Sequence, residues 1–136
     1  LIVINELDWI MEQPNPPPTL EFDDETVNRI FCGNEALFES ILTQLYQQID
    51  DDMARVSDAI DRNHGSDLKD ACHRFMGGLV YCGILNLTRA LESLSHSAVI
   101  DPHNVNQLTY EHQQLKDQVA LFKSWFEHHY VSKEGP

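Results

Sequence analysis

Leu68-Lys69-Asp70-Ala71-Cys72-His73-Arg74-Phe75-Met76-Gly77-Gly78-Leu79-Val80-Tyr81-Cys82-Gly83 is the stretch on which the reading of this chain turns. Leu68, Cys72, Phe75, Leu79 and Cys82 recur in alternating steps of four and three, which puts them on one face of a helix. That face is the buried one. His73 then points outward or to the boundary, beside Lys69, Met76, Gly77 and Val80, and Gly77 lies one turn beyond it. Gly83 interrupts the run.

The same periodicity extends in both directions. Upstream, a short helix is expected over Asp24–Phe31. Asn34 is placed to cap a long helix with the stripe Phe38, Leu42, Leu45, Ile49, Met53, Val56 and Ile60. Gly65 is expected to end that helix in left-handed geometry, with Ser66 capping the next and Asp67 and Asp70 near its positive end. Downstream, Ile84, Leu87, Leu91 and Leu94 mark a fourth helix. Asp101 reads as a cap with Pro102 at the first helical position. Val105, Leu108, His112, Leu115, Val119, Phe122 and Phe126 then form the stripe of the last helix. Long amphipathic helices joined by short turns imply an all-α antiparallel four-helix bundle with an additional short N-terminal helix. The bundle is expected over 21–133. Pro14-Asn15-Pro16-Pro17-Pro18 breaks the chain ahead of it, so 1–20 reads as a linker or as a short helix carrying Leu7, Trp9, Ile10 and Met11.

Composition narrows the function classes. The 136 residues suit one domain, and a formal charge of -13 repels phosphate backbones and anionic lipid. No nucleic acid and no direct membrane contact are therefore expected. The longest charge-free stretch, 75–88, is about 14 residues, short of the roughly 20 a spanning helix needs. Cys32, Cys72 and Cys82 are odd in number and lack metal-ligand spacing, which fits a reducing cytoplasm. The first residue is not Met, as in a fragment of a longer chain.

The chemistry concentrates around His73. Gly77 and Gly78 together cost a helix roughly 2 kcal/mol relative to alanine. Gly77, on the His73 face, reads as opening access to the ring. Gly78 reads as tight packing against a neighbouring helix. Acids number 22 of 136, so the 21 residues of 71–91 should hold about three; they hold none, while Arg74 and Arg89 lie among them. A phosphohistidine is strongly anionic, and nearby carboxylates would repel it. Imidazole is a competent nucleophile near neutral pH. Val80 and Tyr81 read either as a docking rim near His73 or as core against the fourth helix. His112 falls on an apolar stripe and reads as a satisfied core or boundary histidine. His128-His129 point apart on a helix, and no His-Glu-x-x-His motif is present, so no metal site is expected. Asp23-Asp24-Glu25 and Asp50-Asp51-Asp52 read as solvated surface.

His73, Gly77 four residues on and Gly83 ten residues on resemble the signature of histidine-containing phosphotransfer (HPt) domains. The fuller string from His73 to Gly78, then Tyr81-Cys82-Gly83-Ile84 and Leu87, is similar to the C-terminal HPt of BarA/GacS-type hybrid sensor histidine kinases. The motif covers about 25 residues, and the helix order extends the likeness over 22–130. The resemblance implies that His73 accepts a phosphoryl group from a receiver-domain aspartate and passes it to a response regulator. It also implies a monomeric cytoplasmic carrier within a hybrid kinase, with no kinase activity and no cofactor of its own, Mg2+ being held by the partner receiver. Lys69, Arg74, Met76, Gly77, Val80 and Tyr81 would surround the phosphoryl group or its partner. One position departs from the pattern: many HPt domains carry lysine three residues after the histidine, where this chain has Met76. Lys69 and Arg74 are then the candidate cations, Lys69 better placed by one helical turn. A helical interaction bundle in which His73 does nothing chemical, or an HPt that has lost transfer, would share these helices.

Overall fold

The computed structural model describes residues 19–131, and these are all-helical apart from turns and one isolated bridge. The proline-rich break, the apolar segment Leu7 to Met11 and the 133 boundary lie outside the described residues. Five α-helices follow in order: α1 (Asp24–Phe31), α2 (Glu35–Asp61), α3 (Gly65–Leu79), α4 (Leu85–Ile100) and α5 (Val105–Phe126), with a π-helical turn Glu127–Val131 continuing α5. Each of the four longer helices packs on the next in sequence, and α5 returns to pack on α2.

The expected stripes are the core. Leu42, Leu45, Ile49 and Val56 from α2 meet Leu68, Cys72, Phe75 and Leu79 from α3, with Ile84, Leu87, Leu91, Leu94, Leu115, Val119, Phe122 and Phe126 closing the interior. Each large side chain buried in this way contributes about 1.5–3 kcal/mol. Val105 is a correction: at 60% exposure it lies off the stripe, at the very start of α5. Along α2 the seam shifts by one residue. Met53 and Ile60 are only partly buried, while Asp52 and Ala59 turn inward. Asp52 is therefore not solvated surface as expected. Burial pushes its carboxyl up, opposed by Arg55, bonded at 3.0 Å, and by Arg74. Asp50 is exposed and binds Lys123 of α5 at 3.0 Å.

Helix ends show where local rules competed. Asn34 caps α2 as expected, accepting from the Leu37 N–H at 3.0 Å. At the next junction Gly65 does not stop α2. Asn63 takes the left-handed conformation (φ 54°), and His64 caps α3 in place of Ser66 through Nδ1, which accepts from the Asp67 N–H. Asparagine tolerates that region. Gly65 instead opens α3, where a Cβ would lie 3.4 Å from Pro102 Cβ of the facing turn. Similarly, Asp101 ends α4 rather than capping α5. Asn104 caps α5, accepting from the Gln107 N–H at 3.1 Å, and Pro102 sits in the turn between.

An N-terminal clip holds the turn between α3 and α4. Phe22 pairs with Ile84, the Asp23 N–H donates to the Gly83 carbonyl at 2.7 Å and the Leu85 N–H to the Glu21 carbonyl at 2.8 Å. The Asn86 side chain accepts from the Glu21 N–H, and Arg89 pairs with Glu21. Behind the clip, the Phe22 ring lies 5.8 Å from Phe38 and 5.3 Å from Trp125, tying it to α2 and α5.

Two polar groups lie buried on α5. The Glu111 carboxylate accepts from Ser93 at 2.6 Å and from Gln107 at 2.8 Å, binding α5 to α4. His112 is buried as expected, with Nε2 2.8 Å from the Ser57 hydroxyl of α2. Burial pushes its imidazole below the usual histidine value, aided by Lys116 and opposed by Asp61. The unfolded chain therefore takes up this proton more readily than the folded one. The stability that His112 contributes as a neutral ring is present above about pH 6.5, the unfolded value, and is lost as pH falls from there through the lower folded value. Urea unfolding is expected to show a larger loss of stability between pH 7.5 and 5 for the wild type than for His112→Gln. Equal losses would remove His112 from the acid response.

Candidate functional site

With Leu68, Ala71, Cys72, Phe75 and Leu79 facing the core, the exposed positions of α3 divide among three surfaces. Lys69, His73 and Gly77 run along the outer ridge, all exposed. Towards α4 the ridge falls into a groove of about 450 Å³ that takes in Lys69, His73 and Met76 from α3. Its far wall is Glu92, Ser95, His96 and Val99 of α4, and Cys72 and Asp70 complete it. His73 is exposed and, among the described residues, has no hydrogen-bond or ion-pair partner.

Gly77 and Gly78 share one property: a Cβ built at either would meet nothing within 4 Å. For Gly77 this is the open space expected over His73. For Gly78 it corrects the expectation of tight helix packing, because no neighbouring helix among the described residues comes within 4 Å of such a Cβ. Gly78 instead lines, with Tyr81, a groove against Ile41, Gln44 and Gln48 of α2. Gly83 is a different case. Its φ is +64°, and a Cβ would sit 2.9 Å from Val27 Cγ2 and 3.4 Å from the Asp23 carbonyl oxygen. A side chain there would push α1 and the clip away from the turn.

The expected site residues are thus only partly brought together. Lys69, His73 and Met76 share one groove. Arg74 lies over the opposite shoulder of α3, lining a separate groove with Arg55, Asp58, Arg62 and Asp67. Val80 and Tyr81 are 47% and 58% exposed, so both belong to the surface and neither packs as core against α4. Of the cations nearby, Arg55 is paired with Asp52 and Arg62 with Asp58 and Asp67, whereas neither Lys69 nor Arg74 holds an ion pair among the described residues.

The α4 wall escaped the sequence reading. Glu92, His96 and Val99 recur at helical spacing on the side away from Leu87, Leu91 and Leu94, which marks them as one exposed face; that this face borders α3 follows only from packing. It also revises the acid-free window. Asp70 and Glu92 bracket 71–91 in sequence, and in space both line the His73 groove. Buried Cys72 and Cys82 are not reactive candidates, since burial pushes each thiol up to about 11. Among the described residues no three His, Cys, Asp or Glu side chains are grouped to hold a metal ion, and no helix is long and apolar enough to cross a membrane.

No protein-family model, curated protein or solved structure matches this chain.

The glycines give a paired test of this geometry by urea denaturation. Gly77→Ala is expected to raise stability by about 1 kcal/mol, the helix-propensity gain in open space. Gly83→Ala is expected to lower it by about 1–3 kcal/mol through left-handed strain and the clash with Val27. A loss of stability in Gly77→Ala would contradict the open space above His73.

Proposed function

We propose that this chain is a phosphocarrier, an antiparallel four-helix bundle of HPt type in which His73 receives a phosphoryl group from a receiver-domain aspartate and passes it to a response regulator. The observation that carries this reading is His73 itself: an exposed imidazole with no partner among the described residues, open space one turn above it at Gly77, and Lys69, likewise without an ion pair among the described residues, in the same groove. A core or structural histidine such as His112 is buried and hydrogen-bonded; His73 is neither.

The chemistry asks little of the carrier. A lone pair on one ring nitrogen attacks phosphorus as the P–O bond to the aspartate breaks. The aspartate leaves as a carboxylate, and the proton on the other ring nitrogen stays in place. Positioning and charge neutralisation supply most of the rate. In this reading Mg2+ and the acids that hold it belong to the partner receiver, and Lys69 meets the phosphoryl oxygens from the side of this chain. Val80 and Tyr81, apolar and exposed beside the ridge, supply a rim on which receiver and regulator dock in turn. A monomer in the cytoplasm, within or beside a hybrid sensor kinase, suits a carrier that must offer one face to two proteins. A docking-only domain would use the same rim and leave His73 unmodified.

Incubation with a phosphorylated receiver domain of a hybrid kinase is expected to place acid-labile, alkali-stable phosphate on His73, located by mass spectrometry, and none on His73→Gln. Absence of label across several receivers, with helicity intact by circular dichroism, would favour the docking-only reading. In the same assay Lys69→Ala is expected to slow transfer by about 5- to 10-fold, and Arg74→Ala by less than about 2-fold, because only Lys69 shares the groove with His73. Equal, near-wild-type rates for both would reject the role given to Lys69.

A further inference from the structure

The His73 groove contains a second imidazole. His96 stands on the α4 wall, exposed, one residue after Ser95 and one helical turn after Glu92. Lys69, Ser95 and His96 line the same space, and none makes a hydrogen bond or ion pair with another described residue. Three donors on two helices thus face one groove with their hydrogen-bonding capacity unused. At about 450 Å³ the groove has ample room for a phosphoryl group beside the His73 ring.

The charge balance says why a second cationic donor is needed. The groove also holds Asp70 and Glu92, so a phosphoryl group on His73, with about two negative charges, enters a space with two carboxylates and a single fixed cation, Lys69. Met76, three residues after His73, contributes no charge. Histidine is the remaining side chain in the groove that can carry a positive charge near neutral pH, and both its nitrogens donate when it does.

Resting on the carrier reading above, we infer that His96 is a phosphoryl-binding residue of this site. A ring nitrogen of His96 donates to a phosphoryl oxygen across the groove when His73 is phosphorylated, with Lys69 on the α3 side and the Ser95 hydroxyl beside it. The group so held is a tetrahedral phosphoryl on nitrogen. The effect of His96 is to lengthen the lifetime of that state against hydrolysis.

Phosphoramidate, a small-molecule donor, tests this without any partner protein. The imidazole nitrogen attacks phosphorus, the P–N bond of the donor breaks and ammonia leaves. After loading and removal of donor, the half-life of phosphate on His73 is followed by mass spectrometry, with the exposed His103 as an internal reference outside the groove. The expected result is a half-life at His73 about 3-fold shorter in His96→Gln and about 10-fold shorter in His96→Glu, with wild-type persistence restored by His96→Lys and no change at His103. A purely structural role for His96 would not be rescued by lysine or graded by charge. Unchanged half-lives in His96→Gln and His96→Glu would overturn this inference and leave the carrier reading intact. Loading of His103 without loading of His73 would overturn it as well, by showing the groove closed to the phosphoryl group. Failure of receiver domains to label the wild type, with His96-dependent persistence of the phosphoramidate-derived label, would instead overturn the carrier reading alone.

Discussion

The burial of one stripe on α3 controls nearly everything else in this molecule. Leu68, Cys72, Phe75 and Leu79 are at most 2% exposed, and between them they touch the interior shared by all four long helices. Four buried side chains at helical spacing leave α3 no freedom to rotate about its axis: a turn of one residue would drag Phe75 towards water and drive His73 or Arg74 inward, at a cost of several kcal/mol. The azimuth of every exposed residue on α3 is therefore set by the core. His73 faces outward because Cys72 and Phe75 face inward.

That rigid ridge separates two kinds of electrostatic surface. On the α2 side arginines and aspartates interlock, Arg62 with Asp58 and Asp67, and Arg55 with the buried Asp52. Ion pairs at this level of exposure contribute little stability, and Arg74 lines the same groove without an ion pair among the described residues. On the α4 side Lys69 holds no ion pair among the described residues and the groove is mixed in sign, with Asp70 and Glu92 opposing it. In a chain of formal charge -13, a lysine and a histidine that have no partner among the described residues lie one turn apart here, beside the missing side chain at Gly77.

Glycine serves opposite ends within one short stretch. Gly77 leaves space empty above the ridge and carries its propensity penalty without a packing return. Gly83 fills a space so tight that α1, the segment before it and the turn leading into α4 could not close around any side chain. The clip formed there ties residues 21–23 to residues 83–86, so the N-terminal part of the described chain braces the end of the helix that carries His73.

Periodicity in the sequence was sufficient for the helices, for most of their buried stripes and for the outward direction of His73, because those follow from a 3.6-residue repeat and the removal of apolar surface from water. It was also sufficient for the N-cap of α2, a local hydrogen bond between Asn34 and the Leu37 N–H. What the sequence left undecided, or decided wrongly, depended on which surfaces meet. Asn63 rather than Gly65 took the left-handed position, and Gly65 opened α3 beside Pro102 of the facing turn. Asp52 turned inward because the seam of a long helix drifts, with Arg55 of its own helix and Arg74 of α3 opposing the charge. Arg74 and Lys69, five residues apart, fell into different grooves, and Glu92 and His96 arrived beside His73 from another helix. Each of these is a relation between elements distant in sequence, and only the packing of one helix on another brings such groups into range of each other.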